Sequence, residues 1–185
     1  MRFVNAYLSS GWRRWVGLAL LWVGCCGVAF AQTPQDDGTP ASAIEGDWLV
    51  ASRDAIIRIE AQGDTFIGTI VWQLHDTYGP EDGPELNGKI VTDRHNPDPA
   101  LRSRPLTGLR LLWGLHYDAD AQAWVDGFVY NADNGKQYHC EVHVPAPDRL
   151  VLRGYIGIPL LGGSTTWTRT HEPFPAAATR VHPVQ

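Results

Sequence analysis

The sequence predicts an all-β domain: an eight-stranded antiparallel up-and-down β-barrel with one long loop between its third and fourth strands. Three observations carry this. Eight short segments alternate apolar and polar residues with the period-two pattern of a strand. Most are joined by polar links too short for a parallel crossover. Beyond residue 31 no stretch keeps a 3.6-residue period. With no helix to cover an open sheet, closure is the simplest way to hide its edges.

The expected strands are Trp48–Ser52, Ala55–Ala61, Thr65–Leu74, Leu109–Tyr117, Ala123–Tyr130, Lys136–Val144, Arg149–Tyr155 and Thr165–Thr170. The links Arg53-Asp54, Gln62-Gly63-Asp64, 118–122, 131–135 and 145–148 suit antiparallel neighbours. In the third strand Phe66, Gly68, Ile70, Trp72 and Leu74 are expected on one face. In the fourth it is Leu109, Leu111, Trp113, Leu115 and Tyr117, and in the sixth Tyr138, Cys140, Val142 and Val144. An interior bounded by eight strands is just wide enough for side chains or one small ligand.

Two places interrupt the meander. His75 to Gly108 is a connection of about 34 residues, beyond the ~15 usual in compact domains, and such loops are often functional. Within it Asn96-Pro97-Asp98-Pro99-Ala100-Leu101 reads as a short helical turn with Asn96 as N-cap and Pro97 first in the helix. The second is the Gly- and Leu-rich link 157–163.

The first 31 residues read as a signal peptide. Arg13 and Arg14 precede an almost uncharged apolar run, Val16 to Phe30, and Ala29-Phe30-Ala31 supplies the small-x-small pattern for cleavage after Ala31. The apolar run is about 15 residues, short of the ~20 that span a bilayer as a helix. The mature chain is therefore expected to be exported, to the periplasm or beyond, with no transmembrane helix. Cys25 after Gly24 leaves a lipoprotein route open and Arg13-Arg14 a twin-arginine route; Trp22 and the residues flanking the arginines fit each poorly. Residues 32–43 then read as a flexible linker, 44–171 as the barrel and 172–185 as a flexible tail, the two flanks rich in Pro and small or polar residues.

Three of the 15 Lys and Arg, and none of the 20 Asp and Glu, lie in the leader, so the mature chain carries 12 basic against 20 acidic residues, a formal charge of −8. That balance argues against nucleic acid or an anionic membrane surface as partner. Cys25 and Cys26 also leave with the leader, so Cys140 has no partner for an internal disulfide.

Gly46-x-Trp48 opens the first strand and Trp167-Thr168-Arg169 closes the last. This resembles the calycin signature, in which the Trp of Gly-x-Trp plugs one barrel end and a basic residue of the last strand packs over its ring. A cation over an indole contributes up to ~2 kcal/mol when desolvated. A wider likeness rests on Gly46-Asp47-Trp48, Gly68-Thr69-Ile70-Val71-Trp72 and the block from Asn96 to Leu109, NPDPALRSRPLTGL. It continues through Asn134-Gly135-Lys136-Gln137-Tyr138, Leu152-Arg153-Gly154-Tyr155 and Trp167-Thr168-Arg169. The chain resembles the bacterial secreted family named domain of unknown function 2147. The resemblance implies a lipocalin-like barrel outside the cytoplasm and no known catalytic residue. Where many relatives carry cysteines this chain has Gln62, Ile67 and Leu161, so the family's disulfide is absent.

Several groupings are candidates for chemistry. Asp93, His95, Asn96 and Asp98 gather oxygen and nitrogen donors within six residues, as a divalent-metal or polar-ligand site would. The structural alternative is a capped turn with Arg102 or Arg104 paired to a carboxylate. His139, Glu141 and His143 share a strand face, but His at i and i+4 of a strand stand about 13 Å apart, too far to share one metal. Cys140 falls on the expected inner face, as an inert buried thiol would. Asp126, between Trp124 and Phe128, would need a partner such as Arg110 or Arg153 if it faced inward. Trp72, Trp113 and Trp124, with Tyr130 and Tyr138, are candidates for a ligand wall, or else simply fill the barrel. No nucleophile elbow, phosphate loop, zinc-binding helix or cofactor motif is present.

The leading expectation is a barrel that binds a small apolar or amphipathic ligand at its open end, gated by the 75–108 loop. The alternative is a structural or interaction protein of the cell envelope with a filled barrel, contacting a protein or glycan through the loop that carries Arg102 and Arg104. An unrecognised enzyme ranks last.

Overall fold

Period-two alternation gives each strand one apolar face, and eight such faces bury one another when the sheet curls shut. In the computed structural model, which describes residues 40–174, the eight expected strands appear in order: β1 Gly46–Leu49, β2 Ala55–Gln62, β3 Thr65–Gln73, β4 Arg110–Asp118, β5 Ala123–Asn131, β6 Lys136–Ala146, β7 Arg149–Tyr155 and β8 Gly163–Thr170. Each pairs antiparallel with the next, and β8 returns to β1 with Trp48 opposite Arg169, so the barrel is closed. The expected leader and its cleavage site lie outside the described residues. Among the described residues no helix is long and apolar enough to cross a membrane.

One end is plugged. Trp48 and Ile44 are fully buried there, and the Trp48 indole donates to Ile44 O at 2.8 Å. The Arg169 guanidinium lies 4.1 Å from the Trp48 ring centroid and donates to Pro147 O, Glu45 O and Ala43 O at 2.5, 2.5 and 2.7 Å. Burial pushes the Arg169 pKa down, and three carbonyl acceptors plus the indole face offset that loss of hydration. Gly46 explains its own place in the motif. Its φ is +119°, and a Cβ there would stand 2.6 Å from Arg169 Nη1.

The plug extends into the segment expected to be linker. Pro40–Ile44 is a 3-10 turn, and the Trp124 indole donates to Ala41 O at 3.1 Å. Apolar Ala41 and Ile44 close the barrel floor, which a composition-based reading of 32–43 could not see. The tail likewise begins packed. Arg58 bridges Asp47 and Glu172 at 2.7 Å each, and its guanidinium stands over the Phe174 ring.

Three departures from regular pairing re-aim side chains, because one extra residue in a strand moves everything beyond it to the other face. In β3 the pairing slips between Ile57–Ile70 and Ile56–Trp72. Trp72 therefore leaves the inner face, and Gln73 takes the inward place. In β4 two slips surround Leu112; Leu111 and Leu112 both pack against the core, Trp113 turns out, and Leu115 returns inward. In β5 the slip lies between Trp124 and Gly127, at Asp126, whose φ is +57°. Asp126 is thereby 77% exposed, 3.5 Å from His116 Nε2. The expectation that an inward Asp126 pairs with Arg110 or Arg153 is overturned.

Candidate functional site

At the end opposite the plug, strand ends and loops surround a cavity of about 800 Å³. The connections 50–54, 74–109, 132–135 and 156–162 all lie at this end, because each follows a strand running away from the plug. Ile57, Ile70, Leu109, Val129, Leu152 and Trp167 line its apolar body. Polar groups are added by Ser52, Asp54, Gln73, His75, Tyr138 and Thr165.

Two of these have side-chain atoms that pair with none of the described residues. Gln73 is only 8% exposed, and its carboxamide hydrogen-bonds to none of the described residues. His75 Nδ1 is buried with no partner among the described residues. A buried polar atom left unpaired costs about 1–3 kcal/mol, so the His75 atom marks a place where another partner is expected. Strict alternation points Gln73 outward, and only the β3 bulge turns it in.

The long loop is fastened over the mouth by a buried knot. Asp93 is fully buried and accepts from Tyr130 Oη at 2.6 Å, Asn96 Nδ2 at 2.7 Å, and Arg104 Nε and Nη2 at 3.0 and 2.8 Å. Burial and the bond to Asp93 hold the Tyr130 phenol up at about 12. Arg102 Nε donates to Asn96 O. The N-cap of the 3-10 turn Pro99–Leu101 is Asp98, which accepts from Ala100 N, so the cap stands two residues later than Asn96. Asn96 instead accepts from Asp98 N through Oδ1 and gives its amide to the knot. Gly135, with φ +68°, admits the His95 carbonyl into the space a Cβ would fill, which seats the loop against the β5–β6 turn.

The structure divides the residues proposed for a ligand wall. Tyr130 and Tyr138 line the cavity. Trp124 lies at the plugged end, 2% exposed and against Tyr117. Trp113 stacks on Phe128 on the outer face. That stack continues through His139 to Tyr155, with ring centroids 5.8, 4.8 and 5.8 Å apart. Trp72 does not line the cavity. Trp167, read as part of the closure, lines the cavity. Asp93, Asn96, Asp98, Arg102 and Arg104 bond to one another and to Tyr130, and among the described residues no group of His, Cys, Asp and Glu is placed to hold a metal ion. His139 and His143 face outward. Cys140 is fully buried, and burial pushes its thiol up to about 12.

Residues 46–169 match the family described as an uncharacterized protein conserved in bacteria, domain of unknown function 2147. The chain belongs to that family. No curated protein matches it. Among solved structures it is similar to protein HP1028 from the human pathogen Helicobacter pylori, described as belonging to the lipocalin family. The identity is 21%, over 69% of this chain and 83% of that one, with a TM-score of 0.55. That likeness shows the fold, a lipocalin-like barrel. In this member of domain of unknown function 2147, Gly46, Trp48 and Arg169 at the matched ends form the clasp described above.

Proposed function

We propose that this protein is an exported carrier that holds one small amphipathic molecule in the open end of its barrel, with the 75–108 loop as a roof. The observation that carries the reading is the cavity itself. An apolar body of about 800 Å³ has in its lining Gln73 and His75 atoms that pair with none of the described residues. An apolar chamber with a few convergent polar groups is the usual form of a small-molecule site. The Arg13-Arg14 leader and the Ala29-Phe30-Ala31 cleavage pattern support the export half of the reading.

Native mass spectrometry of protein recovered from its bacterial host tests both halves. The expected result is a mature mass beginning at Gln32 and a non-covalent adduct that denaturation releases. Fluorescence quenching of Trp167 by a panel of lipids and metabolites gives a second readout. No adduct, and no response to any panel member, would sink the carrier reading.

A second reading, an envelope interaction protein, is favoured by Ile156, Ile158, Leu160 and Leu161 in the β7–β8 connection, which are 66, 55, 81 and 74% exposed. Pull-down from a periplasmic extract that depends on Leu160 and Leu161 would support it. Arg102 and Arg104, expected to offer a binding surface, are committed to Asn96 and Asp93.

A further inference from the structure

Taken with the carrier reading, on which this inference rests, the lining of the cavity has a charge bias. Three carboxylate residues, Asp54, Asp82 and Asp133, contribute to it, and among the described residues no Lys or Arg does. Three arginines near the mouth are turned to other partners. Arg104 is paired with Asp93. Arg94 lies over the Tyr78 ring and bonds His95. Arg153, on the outward side of β7, donates to Pro159 O and Ser164 Oγ.

We propose that the molecule held here has an amine head on an apolar chain, and that the cavity discriminates against fatty carboxylates. An ammonium offers three donors and no acceptor. Gln73 Oε1 and His75 Nδ1, in the tautomer with its proton on Nε2, supply two waiting acceptors, and a rim aspartate can supply the third. Gln73, more than nine-tenths buried, in the cavity lining and paired with none of the described residues, is the independent sign that a polar head belongs at this end. A carboxylate head would meet three like charges and find no Lys or Arg in the described lining. The apolar chain runs toward Ile57, Ile70, Leu152 and Trp167. Asp54 and Asp133 are exposed, so their attraction is a screened, salt-sensitive one.

The test is calorimetric titration of the purified protein with decylamine, decanol and decanoate, each below its aggregation concentration. At low salt decylamine is expected to bind about tenfold or more tighter than decanoate, with decanol between, and the ratio is expected to shrink as salt is added. The double substitution Asp54→Asn and Asp133→Asn, at two exposed positions, is expected to narrow the amine-to-acid ratio. Gln73→Leu is expected to weaken decylamine and decanol alike, and Glu60→Gln, remote from the mouth, to leave the ratio unchanged. Decanoate or decanol binding as tightly as decylamine overturns the amine selectivity while leaving a carrier. Absence of binding by all three, with no adduct in native mass spectrometry, overturns the carrier reading and this inference together.

Discussion

The Tyr130 hydroxyl donates to Asp93 Oδ1 at 2.6 Å and accepts from Asn96 Nδ2 at 3.2 Å, and these two bonds join strand β5 to the middle of the long loop. Asp93 is fully buried and takes its remaining bonds from Asn96 and Arg104 of its own loop. Tyr130 is therefore the barrel's hold on an otherwise self-contained knot. Tyr130→Phe keeps the ring under Arg104 and removes the donor to Asp93 together with the acceptor that Asn96 Nδ2 uses at 3.2 Å. It is expected to destabilise the fold by about 1–3 kcal/mol, the cost of leaving a buried acceptor short of one partner. Urea unfolding reads that loss. Hydrogen exchange should show lowered protection within 75–108 before any change in β1–β8. Unchanged loop protection would mean that the knot does not need its anchor.

Cys140 and Tyr130 together set an alkaline limit. The folded-state thiol and phenol are each pushed up to about 12, from ordinary values of 9.0 and 10.0. A group whose pKa is higher in the folded state holds its proton more tightly there, so the unfolded chain loses protons first as pH rises. Stability should be level below about pH 9 and fall between about pH 9 and 12. Cys140→Val, similar in size and without an ionisable atom, should flatten the lower part of that fall. Urea unfolding across this range checks it, and thiol labelling gives an independent reading. Native Cys140 should resist reagent and become reactive only in denaturant.

The strand order, the closure and the Trp48–Arg169 clasp are legible in the sequence because each rests on local rules: period-two alternation, short polar links, a glycine before a tryptophan. The cavity is not legible, and the reason is specific. Alternation places Trp72 and Trp113 inward and Gln73 outward. Single-residue slips beside Val71 and around Leu112 reverse all three. Nothing in the composition of Val71 marks it as a bulge. Asp126 is similar, since its φ of +57° belongs to a conformation that Asp tolerates better than most residues but does not announce. The block 93–104 was visible as a motif, but its meaning required Tyr130, distant in sequence, to come beside Asp93.

The plug makes its own prediction at Gly46. A side chain there must adopt φ +119° and push into the Arg169 guanidinium. Gly46→Ala is expected to cost about 1–3 kcal/mol through strain and displacement of that guanidinium. Arg169→Met keeps much of the apolar contact with Trp48 and deletes the donors to Ala43, Glu45 and Pro147. It should lower the melting temperature at least as much, because three carbonyls lose a charged donor. Thermal denaturation of both variants checks this, and equal stability to the parent protein in either would show that the clasp is ornamental.

The tryptophans separate the cavity from the rest of the surface. Trp113 stacks on Phe128 outside the barrel, so Trp113→Ala should lose that contact, worth about 0.5–1.5 kcal/mol beyond area burial, and leave ligand affinity where it was. Trp167 is 5% exposed and lines the chamber. Trp167→Phe conserves an aromatic floor but enlarges the space above it, so it should change ligand affinity with only a modest loss of stability. It should also remove most of any ligand-induced change in tryptophan fluorescence, because Trp48 and Trp124 sit at the plugged end. Titrating parent and variants with decylamine distinguishes the two faces. A Trp113→Ala protein that loses binding, beside a Trp167→Phe protein that keeps both affinity and fluorescence response, would move the site from the barrel interior to the outer aromatic stack.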